Sequence, residues 1–230
     1  MTIEIRGVTH TFRDRVVLRD VDVLLTEHRI GVVGANGSGK STLVRLINGL
    51  VVPSQGRVLV DGLDTAREIA AVRRRVGFVF TDPDAQIVMP TVAEDVAFSL
   101  RRSGLDRQAR NARVAEVLER FGLADHADHP AHLLSGGQKQ LLALAAVLVT
   151  EPAVLVCDEP TTLLDARNAR HVGDLLAGLP QQVVLVTHHL EQLAGFERVL
   201  VLEGGRVVAD APPSVALAAD SDLVSAVWAS

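Results

Sequence analysis

One octet constrains this chain more than anything else in it: Gly34-Ala35-Asn36-Gly37-Ser38-Gly39-Lys40-Ser41. It matches G-x-x-x-x-G-K-[ST], which a chain of this composition meets by chance about once in a thousand. The pattern has a physical reason. Glycines let successive backbone N–H groups turn inward around an anion. A helix starting behind them adds the positive end of its dipole. Lys40 brings a compact charge to the β- and γ-phosphates, and the Ser41 hydroxyl is a hard oxygen donor for Mg²⁺. Thr42, next on the helix, belongs to the same nucleotide-binding set. Only Lys40 and Lys139 among the 23 lysines and arginines are lysines. Asn36-Gly-Ser38 also spells an N-glycosylation acceptor, but no secretion signal opens the chain, so that reading is set aside.

The octet sits where such a loop must, between an apolar strand at Arg29–Val33 and a helix expected over Ser41–Gly49. Further strands are expected at Ile3–Val8, Val16–Leu25, Gly56–Val60 and Val76–Phe80. Ala153–Cys157 and Val183–Thr187 are continuous apolar runs, the kind buried on both faces of a parallel sheet. Val199–Leu202 and Arg206–Val208 flank Gly204-Gly205 and predict a hairpin. Asp106–Phe121, closed by Gly122, and Ser135–Val149 predict helices. The chain is therefore expected to be α/β, with a mostly helical insert between about Pro83 and Thr150.

Composition narrows the function classes. A length of 230 residues allows one domain, or one with a sub-lobe, and 48% hydrophobic residues supply a core. A net charge of −5 gives no mark of a nucleic-acid binder. The single cysteine, Cys157, excludes an internal disulfide and fits a reducing compartment. The longest clean apolar run, Leu141–Val149, is too short to span a bilayer, so a membrane role would pass through a partner.

A second site is expected where strand Ala153–Cys157 ends in Asp158-Glu159. Ligands of open parallel sheets sit at the carboxyl ends of strands. Asp158 is thereby placed near a metal held by Ser41, and Glu159 near an attacking water as its base. Taken alone, the pair is equally an ordinary acidic turn.

Leu134-Ser135-Gly136-Gly137-Gln138-Lys139-Gln140 decides among phosphate-loop proteins. It resembles the LSGGQ signature of ABC ATPases, and the other family elements follow in order: Leu164-Asp165 resembles the D-loop, and His188 the switch histidine. Phe12 stands where the family places an aromatic against adenine. The resemblance implies a P-loop NTPase (RecA-like) core with an N-terminal antiparallel β lobe and an inserted α-helical subdomain. The implied division is residues 1–84 and 150–210 for the core, 85–149 for the helical part and 211–230 for a tail. It further implies ATP and Mg²⁺ as ligands, and catalytic roles for Glu159 and His188. Independently of the family, Ser135 can cap the following helix while Gly136 and Gly137 leave backbone N–H groups bare for an anion. One chain cannot hold a phosphate on both such sites at once. The family's arrangement, in which the signature closes on the partner chain's nucleotide, implies an ATP-bridged pair of identical chains.

A narrower resemblance lies in Phe80-Thr81-Asp82-Pro83-Asp84-Ala85-Gln86-Ile87 with Thr91-Val92-Ala93-Glu94-Asp95-Val96. This is similar to the segment of energy-coupling factor (ECF) importer ATPases that meets the membrane subunit. Asp82, Asp84, Gln86, Glu94 and Asp95 are accordingly expected at a partner interface, where the acids would suit a basic helix. The family's Q-loop glutamine falls at position 81, and here it is Thr81, a shorter candidate ligand for metal-bound water. The wording of the loop regions resembles the biotin-uptake ATPases of actinobacteria. The implied protein is a peripheral subunit at the cytoplasmic face of the membrane, working with a transmembrane coupling subunit and a substrate-binding membrane subunit. Cobalt, nickel or another vitamin as cargo is the alternative, as is a non-transport ABC ATPase.

Several other features are weighed and set aside. Asp125, His126, Asp128, His129 and His132 resemble a metal cluster, but Pro130 breaks any shared helical face. Arg73-Arg74-Arg75 is expected to be a solvated face. His189 is expected to be bystander polarity, and Trp228 a small packing contact.

Overall fold

The structure is a computed structural model that describes residues 1–216. Trp228 and the rest of the Ala-rich tail from residue 217 lie outside the described residues. The chain opens with a hairpin of β1 (Ile3–Phe12) and β2 (Arg15–Leu25), then enters β3 (Arg29–Gly34) and α1 (Lys40–Ile47). It returns through β4 (Gln55–Val60) and β5 (Leu63–Asp64), and continues into α2 (Ile69–Arg75) and β6 (Val76–Val79). A helical excursion follows: α3 (Val92–Ser99), α4 (Arg107–Arg120) and α5 (Gly136–Leu148). Then come β7 (Val154–Asp158), α6 (Ala166–Ala177), β8 (Gln182–Val186), β9 (Arg198–Glu203), β10 (Arg206–Ala211) and α7 (Pro213–Ala216).

The strands form two sheets. The N-terminal lobe is antiparallel, in the order β2-β1-β4-β5. The central sheet runs β10-β9-β3-β8-β7-β6 and is parallel except for the terminal hairpin. Its inner strands are apolar on both faces because both faces are covered. Val32, Val154, Val156, Val184 and Val186 point into a core shared with α1 and the β lobe. The alternate residues Val33, Leu155, Cys157, Val183 and Leu185 point into a second core shared with the helical insert and α6. The period of two thus sorts one strand into two cores. Burying each Val or Leu contributes about 1.5–3 kcal/mol.

This is the P-loop NTPase core with N-terminal β lobe and helical insert that the family resemblance implied. Local features differ from expectation. β1 continues past Val8 through a bulge and reaches Phe12. Helix α3 went unread, although Thr91 and Glu94 form a reciprocal capping box at its start. Arg73 is not a purely solvated residue. Its guanidinium donates to the carbonyl of Gly49 at 3.1 Å, and also to that of Asn48, satisfying chain ends behind α1. The Gly-rich octet is left where β3 stops, with its helix pointing back along the sheet.

Candidate functional site

Gly34 ends β3 at φ +142, and a Cβ there would lie 2.1 Å from the Leu202 carbonyl, so only glycine admits the turn. The loop closes on Gly39, which gives α1 no side-chain cap. The first-turn N–H groups, without intrahelical acceptors, are left for an anion. Lys40 folds back over the loop, and its Nζ donates to the carbonyls of Gly34 at 2.8 Å and Ala35 at 3.0 Å. Burial pushes its ammonium below the ordinary lysine value, against the opposing pull of Glu159 and Asp158. The buried Ser38 hydroxyl has no hydrogen-bond partner. An orphaned hydroxyl in a ring of inward amides fits a phosphate oxygen.

The acidic pair closes the floor. Asp158 ends β7 beside the loop, and Ser41 Oγ donates to its Oδ1 at 2.8 Å. Glu159 follows at φ +53, a left-handed conformation that costs a non-glycine residue energy and recurs at functional sites. That turn brings its Oε1 to 2.7 Å from His188 Nε2, at the end of β8. Thr162 Oγ1 donates to the other oxygen at 3.3 Å.

Glu159 and part of the loop border a cleft of about 470 Å³. Phe12, Asn36, Gly37, Gly39, Lys40, Ser41, Thr42 and Glu159 line it, together with His10, Arg15, Val17, Arg45 and Val51. Phe12 among them is 65% exposed. None of Leu134–Gln138 is among the described residues that line it.

The signature lies at the start of α5 as a separate half-site. Ser135 caps the helix in a reciprocal box with Gln138: Gln138 N–H donates to Ser135 Oγ, and Ser135 N–H donates to Gln138 Oε1 at 2.9 Å. That occupies one first-turn amide and leaves those of Gly136 and Gly137 bare. Gly137 is packed: a Cβ there would lie 2.7 Å from the Asn168 side chain. Asn168 is in turn held by Asp165, which caps α6 and accepts from the Asn168 amide at 2.8 Å. Gly137 and Asp165 are therefore joined through Asn168 in one packed corner. The Asn168 backbone N–H holds the Asp165 carboxyl below the ordinary carboxylate range.

The family model described as ABC transporter matches residues 18–162. The chain belongs to the ABC transporter family. A putative ABC transporter ATP-binding protein of Deinococcus radiodurans is 56% identical, covering 94% of this chain and 95% of that one. A biotin transport ATP-binding protein of Rhizobium etli is 49% identical, covering 95% of this chain and 97% of that one. Among solved structures, CbiO1 of Clostridium perfringens, part of the ABC transporter complex CbiONQ, superposes with a TM-score of 0.84 at 30% identity. That match covers 97% of this chain and 93% of that one. The protein is an ATP-hydrolysing ABC transporter subunit, related to the ATPases of ECF-type importers.

Within this ABC subunit, several polar side chains do structural work that the sequence did not announce. Arg45 Nη2 lies 2.9 Å from Asp158 Oδ2, a second partner for that carboxylate. The i, i+4 spacing from Ser41 places both on one face of α1 and was the available signal. The acidic segment is more internally committed than expected. Asp95 is only 4% exposed and accepts the N–H groups of Val88 and Met89 at 2.8 and 2.9 Å, so it shapes the loop instead of offering charge outward. Gln86 braces the segment, with Oε1 on the Phe80 N–H and Nε2 on the Ala143 carbonyl of α5. Asp84 pairs with Lys139 at 2.7 Å, and Asp82 caps the turn at 83–85. Glu94 completes the α3 capping box. The segment's net negative charge toward a partner is correspondingly smaller. Nor does His126 stand in a ligand set: its Nε2 meets the Gln138 amide at 2.9 Å, and among the described residues no group of metal-ligating side chains has formed.

Thr81 is also engaged. Its hydroxyl donates to the Asp158 backbone carbonyl at 2.6 Å, tying the segment after β6 to the end of β7. A glutamine at this position would reach further and leave that carbonyl. We predict that Thr81→Gln raises basal ATPase activity of the purified protein, about 2- to 5-fold, the scale of one hydrogen bond. Steady-state phosphate release measures it, and an unchanged rate counts against a sensing role for position 81.

Proposed function

We propose that this subunit binds MgATP at residues 34–42, pairs with a second copy, and energises an ECF-type membrane importer whose cargo is biotin. One observation carries the catalytic part: Glu159 lines the phosphate-loop cleft, with His188 at 2.7 Å from it, while none of the described residues lining that cleft belongs to the signature. The bare Gly136 and Gly137 amides are then supplied by the facing chain. A C₂ pair supplies each signature to the other chain's loop at once, which makes two equal sites.

The residues divide the chemistry as follows. Phe12 stacks on the adenine. Lys40 leaves the Gly34 and Ala35 carbonyls and, with the loop amides and Ser38, holds the β- and γ-phosphates. Ser41 and Asp158 are hard oxygen donors already side by side, a set that fits Mg²⁺. The ion, when bound, supplies charge neutralisation between the phosphates. Thr81 stays close to that carboxylate through its backbone bond. Glu159 accepts a proton from the attacking water, and His188 holds the carboxylate in place and contacts the γ-phosphate. Ser135, Gly136 and Gly137 of the facing chain close over that phosphate, with Leu134 and Gln138 shaping their approach and Asp165 at the joint. No helix among the described residues is long and apolar enough to cross a membrane. Transport therefore runs through membrane subunits, against which residues 82–95 dock from the cytoplasmic side. Closure with ATP and reopening after hydrolysis move those subunits by population shift.

Support for biotin is the name of the Rhizobium relative, which matches over nearly the full length of both chains. The similarity to CbiO1 supports the second reading, another cargo of the same importer class. The test is uptake in vesicles holding the native complex. ATP-dependent accumulation of labelled biotin, with none of labelled cobalt, is expected. Cobalt uptake without biotin uptake replaces the cargo and leaves the ATPase reading intact.

A further inference from the structure

Glu159 and His188 sit at the tips of two different loops, and their 2.7 Å contact must be held by something. At the base the sheet does this: Glu159 N–H donates to the Val186 carbonyl at 3.0 Å. Beyond the sheet the Gln192 side chain spans the gap. Gln192 Nε2 donates to Thr161 Oγ1 at 3.1 Å, two residues past Glu159. Its Oε1 accepts from Thr187 Oγ1, the residue before His188, at 3.0 Å. Thr187 Oγ1 in turn accepts the His189 N–H at 3.0 Å, so the chain of bonds grips His188 from both sides. Both threonines are buried, 1% and 2% exposed, where water cannot replace a lost partner.

The platform under Gln192 is rigid. It lies on the turn Leu190–Leu193, whose last residue is fully buried. Leu193 fills the space a side chain at Gly31 would need, since a Cβ there would lie 2.8 Å from it. The turn is thus packed against β3, the strand that delivers the phosphate loop. We propose that Gln192 is a positioning residue for hydrolysis: it braces the loop carrying Glu159 against the loop carrying His188, and holds base and histidine in register. The inference rests on the catalytic reading of that pair. Gln192 is not among the residues lining the phosphate-loop cleft, so its removal should spare binding and cost turnover.

Gln192→Leu keeps the volume and removes both bonds. The expected result is a roughly 10-fold lower kcat with unchanged KM for ATP. Gln192→Glu can accept from both threonine hydroxyls and should recover most of the rate. The ¹⁵N NMR signals of the His188 imidazole give a readout independent of turnover. They should move toward those of a free imidazole in Gln192→Leu and stay near wild type in Gln192→Glu. Thr161→Val breaks one arm of the bridge and stands in if Gln192→Leu does not fold, with the same kcat-only loss expected. A raised KM with unchanged kcat, or unperturbed His188 signals, would overturn the brace. Wild-type turnover in Glu159→Gln would overturn the catalytic reading instead, with the NMR result still deciding whether Gln192 positions the pair.

Discussion

Glu159→Gln should bind ATP as well as the wild type, turn it over on the order of 10²–10⁴-fold more slowly, and accumulate as an ATP-bridged pair of chains. The amide keeps the size of the carboxylate and one acceptor oxygen but cannot take the water's proton. It also removes a negative charge beside Lys40, whose ammonium feels Glu159 directly, so ground-state binding has no reason to weaken. Size-exclusion chromatography with ATP, ADP or no nucleotide reads the pairing, and single-turnover phosphate release reads the chemistry. Dimer with ATP alone and a near-silent release trace are expected. Release at the wild-type rate would remove Glu159 from the role of base.

The parts of this site legible in sequence are those where chemistry restricts residue choice. The octet is one, because inward amides need glycine and a buried phosphate clamp needs lysine. Asp158-Glu159 is another, since two adjacent carboxylates at the end of a buried apolar strand call for a reason. In the fold, the strands that alternate between two covered cores were equally plain. What stayed hidden were long-range pairings between ordinary polar residues. Arg45 pairs with Asp158 and Gln192 bridges two threonines with two hydrogen bonds, and residue type alone does not distinguish either from surface polarity. The acidic segment was legible only in part. Its charges read as a docking face because composition shows sign but not direction, while Asp95 turned inward to hold two backbone amides and Asp84 was taken by Lys139. Local capping was legible but easily undervalued: Thr91 with Glu94 carries a helix-start signal identical in form to that of Ser135 with Gln138.

Two inactive variants should restore each other. Lys40→Ala removes the clamp on the phosphates and leaves the signature whole. Ser135→Arg places a bulky cation at the start of α5, where the serine caps the helix and where the facing γ-phosphate must approach. Each variant alone pairs a defective half-site with a sound one in both sites, so each should be essentially inactive. A mixed pair is different. The loop of the Ser135→Arg chain meets the signature of the Lys40→Ala chain, and that one site is complete, while the other carries both defects. In an equal mixture, half of the pairs are mixed and each has one working site of two. Phosphate release should therefore recover to about a quarter of wild type if the sites fire independently. The proposed pairing requires this outcome, and it accords with the absence of Leu134–Gln138 from the described residues lining the loop cleft. A site completed within one chain would show no recovery on mixing, since every chain in the mixture would carry its own defect.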